Sequence, residues 1–143
     1  MSRIDVVRSA IIGSNNHGAN PDLYADDFQH TDELGGPPMD KNTWLAMSPV
    51  MFASFPDIEF VIEEIAEQGD QVRLVGHFVG TFTNDFDLSA MGMGVIPATG
   101  AKITFSTNTD LVTVEGGKIT RWHGTDTGPD AGMTGFLKAL GAG

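Results

Sequence analysis

Between residues 58 and 65 an alternating strand pattern changes phase without leaving the strand, and few sheets accommodate that. Ile58, Phe60 and Ile62 alternate with Glu59 and Glu63, and Ile65 then arrives on the opposite phase. Strand side chains alternate strictly between two faces, so a slip of this kind needs an extra residue, a β-bulge, and a bulge bends the sheet. Three more strand patterns follow, at 72–82, 102–114 and 119–126, the last two joined by the turn Glu115-Gly116-Gly117. The expectation is a curved antiparallel sheet of about four strands linked by hairpins.

Upstream of the sheet the period is helical. Ser2 and Asp5 are spaced as a capping box, and Ile4, Val7 and Ile11 recur on one face, so residues 3–13 read as an amphipathic helix. The segment SNNHGANP breaks it. Asn20 and Pro21 suit the N-cap and first turn of a short second helix carrying Leu23 and Tyr24. A strand-like piece covers 28–32. Asp40 can cap a third helix with Trp44, Met47, Met51 and Phe55 on one face, which Pro49 is expected to kink or divide. A last short helix is expected at 133–140. Segregated helices and a meander make an α+β domain, and with no repeat or linker residues 1–143 read as one unit.

The net charge of −11, from 8 Lys+Arg against 19 Asp+Glu, repels phosphate backbones and anionic headgroups. Nucleic acid and membrane are therefore not expected as partners. No apolar run reaches the roughly 18 residues that span a bilayer, and the N-terminal stretch lacks a signal-peptide core, so a cytoplasmic location is the default. The absence of cysteine removes disulfides and thiolate chemistry. The four histidines form no close-spaced pair, and Asp85 and Asp87 lack the rest of a calcium loop, so no metal is expected. There is no GxSxG elbow, and GMGVIP lacks the final glycine of a dinucleotide fingerprint.

The order of these pieces resembles the SnoaL-like polyketide cyclases of the nuclear-transport-factor-2-like fold. The resemblance is carried by YADDFQH at 24–30, FPDIEF at 55–60, GTF at 80–82, VIPATGAKITF at 95–105 and VEGGKITRWHG at 114–124. It implies a cone of helices and curved sheet around one pocket, cofactor-free acid/base chemistry on a small apolar or aromatic organic molecule, and a homodimer. Relatives of this fold also hydrolyse epoxides, isomerise ketosteroids, or only bind. The family's general acid/base is an aspartate a few residues past GKI, and aligning that hairpin without gaps puts Gly124 there. Asp126, two residues on, is the reserve. The same alignment puts Asn108 where a polar group orients the substrate, Asp110 at the next inward position, and His30 at the far end of the pocket.

Read residue by residue, Asp110 is the leading acid/base candidate, because an apolar pocket lifts a carboxyl toward neutrality. The plainer alternative is a wet face, since Lys102, Thr104, Ser106, Asn108 and Asp110 alternate with more apolar neighbours. His30 could pair with Asp110 across the cavity as base and orienter. His77, in mid-strand, is either a pocket residue or a hydrogen-bonded core histidine. Trp122 is expected inward as a stacking wall, which sends Arg121 and His123 outward. Phe105 is expected as wall. Met91 and Met93, within the supple stretch 86–96, suit a cavity lid or a subunit interface. An acid/base enzyme is the first reading. A binding protein that lost the chemistry is the second, and an epoxide hydrolase, which needs an arginine between two carboxylates, is the third.

Overall fold

The computed structural model describes residues 2–15, 20–35, 37–89, 94–127 and 132–141. Helix α1 (Arg3–Asn15) opens on the expected reciprocal cap: Ser2 N donates to Asp5 Oδ2 (3.2 Å) and Asp5 N to Ser2 Oγ (3.1 Å). The Asn20 side chain accepts from Asp22 N–H, but it starts only a single 3-10 turn, Pro21–Leu23. Tyr24, expected on that helix, instead opens strand β1 (Tyr24–Asp32), where its ring meets Phe28 edge-on at 5.1 Å. After strand β2 (Met39–Asp40), Asp40 Oδ1 accepts Thr43 N–H at 2.8 Å and caps helix α2 (Lys41–Ser54). Pro49 does not divide α2. The helix is held on both sides of it, by Trp44 and Leu45 on one apolar cluster and by Met51 and Phe52 on another.

The strands that follow are β3 (Glu59–Gln68), β4 (Gln71–Thr81), β5 (Phe86–Asp87), β6 (Val95–Ile96), β7 (Lys102–Thr104), β8 (Asn108–Glu115) and β9 (Lys118–Gly124), with helix α3 (Gly132–Ala139) last. The main sheet runs β2-β1-β9-β8-β4-β3 with β7 also on β4, while β5 and β6 form a separate hairpin. Among the described residues all pairs are antiparallel except β1 with β9, so the sheet is mixed where an antiparallel one was expected. The parallel pair arises because β1 precedes α2 and the meander. The chain returns to it only through that long crossover, as parallel neighbours require.

Irregular pairing shapes the curve. The expected slip in β3 lies between Ile62 and Glu64. Another falls between Thr113 and Val114 of β8 and places Ile119 and Trp122, an odd spacing apart, both inside. On β1 the register against β9 shifts between Tyr24 and Gln29. A further break divides the single strand expected at 102–114. β7 and β8 lie on the same edge of β4, but their registers differ by one residue across Phe105–Thr107.

Two apolar clusters fill the curled half-barrel. One joins α1 (Val6, Val7, Ala10, Ile11) to Phe28, Leu74, Val112, Ile119 and Trp122. The other, around Phe55, Phe82, Phe86 and Phe105, is covered by Phe136, Leu137 and Leu140 from the α3 end. Among the described residues no helix is long and apolar enough to cross a membrane.

Candidate active site

The break between β7 and β8 decides which way Asp110 points. On β7, Ile103 pairs with Gly80 and faces inward; on β8, Asn108 pairs with Gly76 and Asp110 with Leu74, on the same inward face. Without the extra residue, strict alternation from Ile103 would turn Asn108 and Asp110 outward. The bulge thus delivers a carboxyl into the interior and retires the wet-face alternative: Asp110 is 8% exposed.

Neutral donors surround it. Asn108 Nδ2 donates to Asp110 Oδ2 at 2.9 Å, and the Trp122 indole N–H also hydrogen-bonds the carboxyl. None of the ion pairs among the described residues includes Asp110. Burial raises the carboxyl from 3.8 to about 6, with the Asp126 charge adding to the rise; the hydrogen bonds from Trp122 and Asn108 and the nearby His123 oppose it.

His30 lies on the same face, opposite Trp122 in the β1–β9 pair, and stacks on Trp44 (4.8 Å, 16°), which in turn meets Trp122 at 5.5 Å. Burial lowers the His30 pKa below its usual 6.5, against the pull of Asp32, so its ring is neutral at pH 7. His30 and Asp110 do not form the dyad expected from sequence. Strand β9 separates β1 from β8, a gap of about 10 Å, and Trp122 stands between them. The Trp44 indole hydrogen-bonds the Tyr24 hydroxyl, anchoring the stack.

One rung further along, Asp32 of β1 faces Gly124 of β9, which faces Asp110 of β8. A Cβ on Gly124 would stand 3.5 Å from Asp110 Oδ1 and 3.7 Å from the Asp32 Cβ. The position where the family resemblance puts an acid is therefore a notch with the Asp110 carboxyl on one side and the Asp32 Cβ on the other. The Asp110 carboxyl borders the space from the facing strand.

The inward face also has a bare aromatic. On β4 and just past its end, Val72, Leu74, Gly76, Phe78, Gly80 and Phe82 share that face, and all are buried but Phe78, which is 38% exposed. It meets Phe60 edge-on at 5.0 Å and lies next to Gly76 on the stripe that pairs with Asn108. Solvent reaches the interior there, between the two clusters.

Other candidates sit elsewhere. His77 is on the outer face, where its Nδ1 meets Glu63 Oε2 at 3.0 Å, and Thr107 Oγ1 donates to the same oxygen at 2.9 Å. Alternation on β4 turns it away from Asp110, so it does not line this site. His123 and Arg121 point outward as expected. His123 bonds Thr31 (2.7 Å) and Glu33 (2.8 Å), and Arg121 Nε donates to Thr31 Oγ1 at 3.0 Å. No arginine from β9 thus stands between the carboxylates, as the epoxide-hydrolase reading requires. Phe105 is buried against Phe136 (4.6 Å, 4°) and Phe55, as core and not as open wall. Asp126 Oδ2 accepts the Thr109 N–H at 2.8 Å. Met91 and Met93 lie outside the described residues; the flanking β5–β6 hairpin buries Phe86 and Leu88 in the second cluster. Sequence reasoning passed over Asp32 and Phe78. The two-residue spacing of Asp32 from His30 was the available signal for the first, and the strict alternation of β4 for the second.

Comparison with known proteins agrees with this geometry. A family model described as SnoaL-like polyketide cyclase matches residues 8–127. Among solved structures, AclR of Streptomyces galilaeus, a proposed hydroxylase, aligns with a TM-score of 0.75 at 16% identity over 96% of this chain and 83% of its own. IdmH of Streptomyces antibioticus, a proposed polyketide cyclase, aligns at 0.69 and 23% identity, covering 84% of this chain and 88% of its own. An LEH-like epoxide hydrolase of M. tuberculosis aligns at 0.61 and 15%, covering 85% and 80%. No curated protein matches the chain. At these identities the structures speak for the fold alone. The family match spans most of the chain, including helix α2 and every strand of the main sheet, so the chain belongs to the SnoaL-like polyketide cyclase family.

Proposed function

We propose that this chain is a cofactor-independent acid/base enzyme acting on a mostly apolar, oxygenated small molecule held against the inward face of the sheet, with Asp110 transferring the proton. One observation carries the reading: a carboxyl 8% exposed, held by an amide and an indole instead of a cation, with its pKa at about 6. At pH 7 such a group is mostly ionised, yet basic enough to take a proton from carbon next to a carbonyl and to return it. Asn108 bonds Oδ2, while Oδ1 faces Gly124, the side on which the substrate is proposed to sit. His30, neutral and half-buried, is proposed to position a substrate oxygen, and Trp44, Trp122 and Phe78 to hold its apolar part. Asp126 contributes through its charge, which supports the raised Asp110 pKa.

The family resemblance points to intramolecular ring closure on an ester as the reaction, and IdmH, among the structural relatives, is a proposed polyketide cyclase. Asp110→Asn should lower turnover of such a substrate by at least about a hundredfold. Turnover unchanged in that variant would end the assignment. Gly124 favours a second reading, a binding protein that kept the cone. It predicts a tight complex, no turnover, and little effect of Asp110→Asn beyond a modest change in affinity. We also propose a second copy of the chain as partner for the outer face, where Val61, Val75 and Leu111 stay half-buried.

A further inference from the structure

Among the described residues three glycines stand inside strands, and two of them explain themselves. A Cβ on Gly76 would run into the Val61 carbonyl oxygen and lie 2.6 Å from the Phe60 ring, and one on Gly80 would lie 3.2 Å from Ile58 Cα. Gly124 has neither excuse. Its backbone is not among the positive-φ glycines, and its carbonyl accepts Glu33 N–H at 3.2 Å as paired strand backbone does. A methyl there would make only ordinary contacts. Glycine in a strand is less stable than alanine, so the chain keeps a less stable residue where a larger one fits. Within strands, such a glycine marks a place where another group comes close to the backbone.

Among the described residues only Asp110 Oδ1, at 3.5 Å, and the Asp32 Cβ, at 3.7 Å, lie within 4 Å of where that methyl would stand. The space in front of Gly124 opens on the inward face, with Asp110 Oδ1 on one side and Asp32 on the other. Asp32 is itself fixed, because its Oδ1 accepts Leu34 N–H at 2.8 Å. Asn108 bonds Asp110 Oδ2, and Oδ1 is the oxygen that faces the notch.

We propose that Gly124 is a specificity-determining residue: the volume its side chain would fill seats the hydroxyl or enol of a flat apolar substrate against Asp110 Oδ1, with Asp32 as a positioning residue across the seat. This rests on Asp110 being the proton-transfer group. The ring system of the substrate then extends toward Trp122 and Trp44, which already meet at 5.5 Å.

The test uses 2-naphthol, a small stable molecule with both features, titrated into the full chain at about pH 7.5, above the Asp110 midpoint, with the Asp110 carboxyl carbon followed by NMR. The wild type should bind saturably and shift that resonance. Gly124→Ala should keep its amide spectrum, match or exceed the wild type in thermal stability and bind at least tenfold more weakly, and Asp32→Asn should weaken binding less. Equal affinity in Gly124→Ala overturns the proposal. So does binding that leaves the Asp110 resonance still, or no binding by the wild type at millimolar naphthol. Failure of the acid/base reading looks different: naphthol binding would depend on Gly124, while turnover ignored Asp110→Asn.

Discussion

Between pH 4 and 6 the folded chain holds a proton on Asp110 that the unfolded chain has already released. The folded pKa is raised, from 3.8 to about 6, so this residue's contribution to stability is full below about 3.8 and is lost as the pH climbs through about 6. The loss is on the order of 3 kcal/mol, at about 1.4 kcal/mol per unit. Asp110→Asn keeps an acceptor for Trp122 and Asn108 without the charge. Denaturant unfolding should therefore find it more stable than the wild type at pH 7, with the gap closing toward pH 4. A variant less stable at pH 7 would mean that the carboxylate is paired in a way the structure does not contain. Asp110 itself was legible in the sequence because a carboxylate in mid-strand needs a reason. Its dyad with His30 was not, since strand order across β1, β9 and β8 is a long-range fact that no local spacing encodes.

At the scale of elements, the site is a product of irregularities. The β3 slip could be read from Ile62 and Ile65 because apolar side chains changed face. The β7–β8 break could not, because polar and apolar residues go on alternating through Phe105–Thr107 while the backbone steps by one. That break is what turns Asn108 and Asp110 to the inner face, where unbroken alternation from Ile103 would have left them outward. Helix starts were legible from their caps, Ser2 with Asp5 and Asp40 with Thr43, since those hydrogen bonds are local. The parallel pairing of β1 was not, as it depends on how the whole meander closes. Phe60, just ahead of the β3 bulge, lies over Gly76, whose place no larger side chain could share. Gly76→Ala should cost about 1–3 kcal/mol by overpacking, measured as a lower denaturation midpoint. Wild-type stability in that variant would mean that β3 and β4 pair more loosely than this register has them.

At the scale of the molecule, two apolar clusters hold the ends of the half-barrel, and the polar residues of the site lie on the inward face between them. The outer face is left to the proposed second copy. Sedimentation equilibrium should then give about 30 kDa, twice the 15.2 kDa chain, and a mass that stays at 15.2 kDa at high micromolar concentration would remove the dimer. The desolvation of Asp110 is likewise a property of the folded half-barrel, supplied by β8 between β4 and β9 and by Trp122 beside the carboxyl. Its pKa therefore tests the proposed acid/base role most directly, by carbon-13 titration of the carboxyl in the free protein. A poised, desolvated carboxyl titrates with a midpoint of about 6. A midpoint near the unperturbed value of about 3.9 would mean a solvated, idle carboxylate, and would contradict that role.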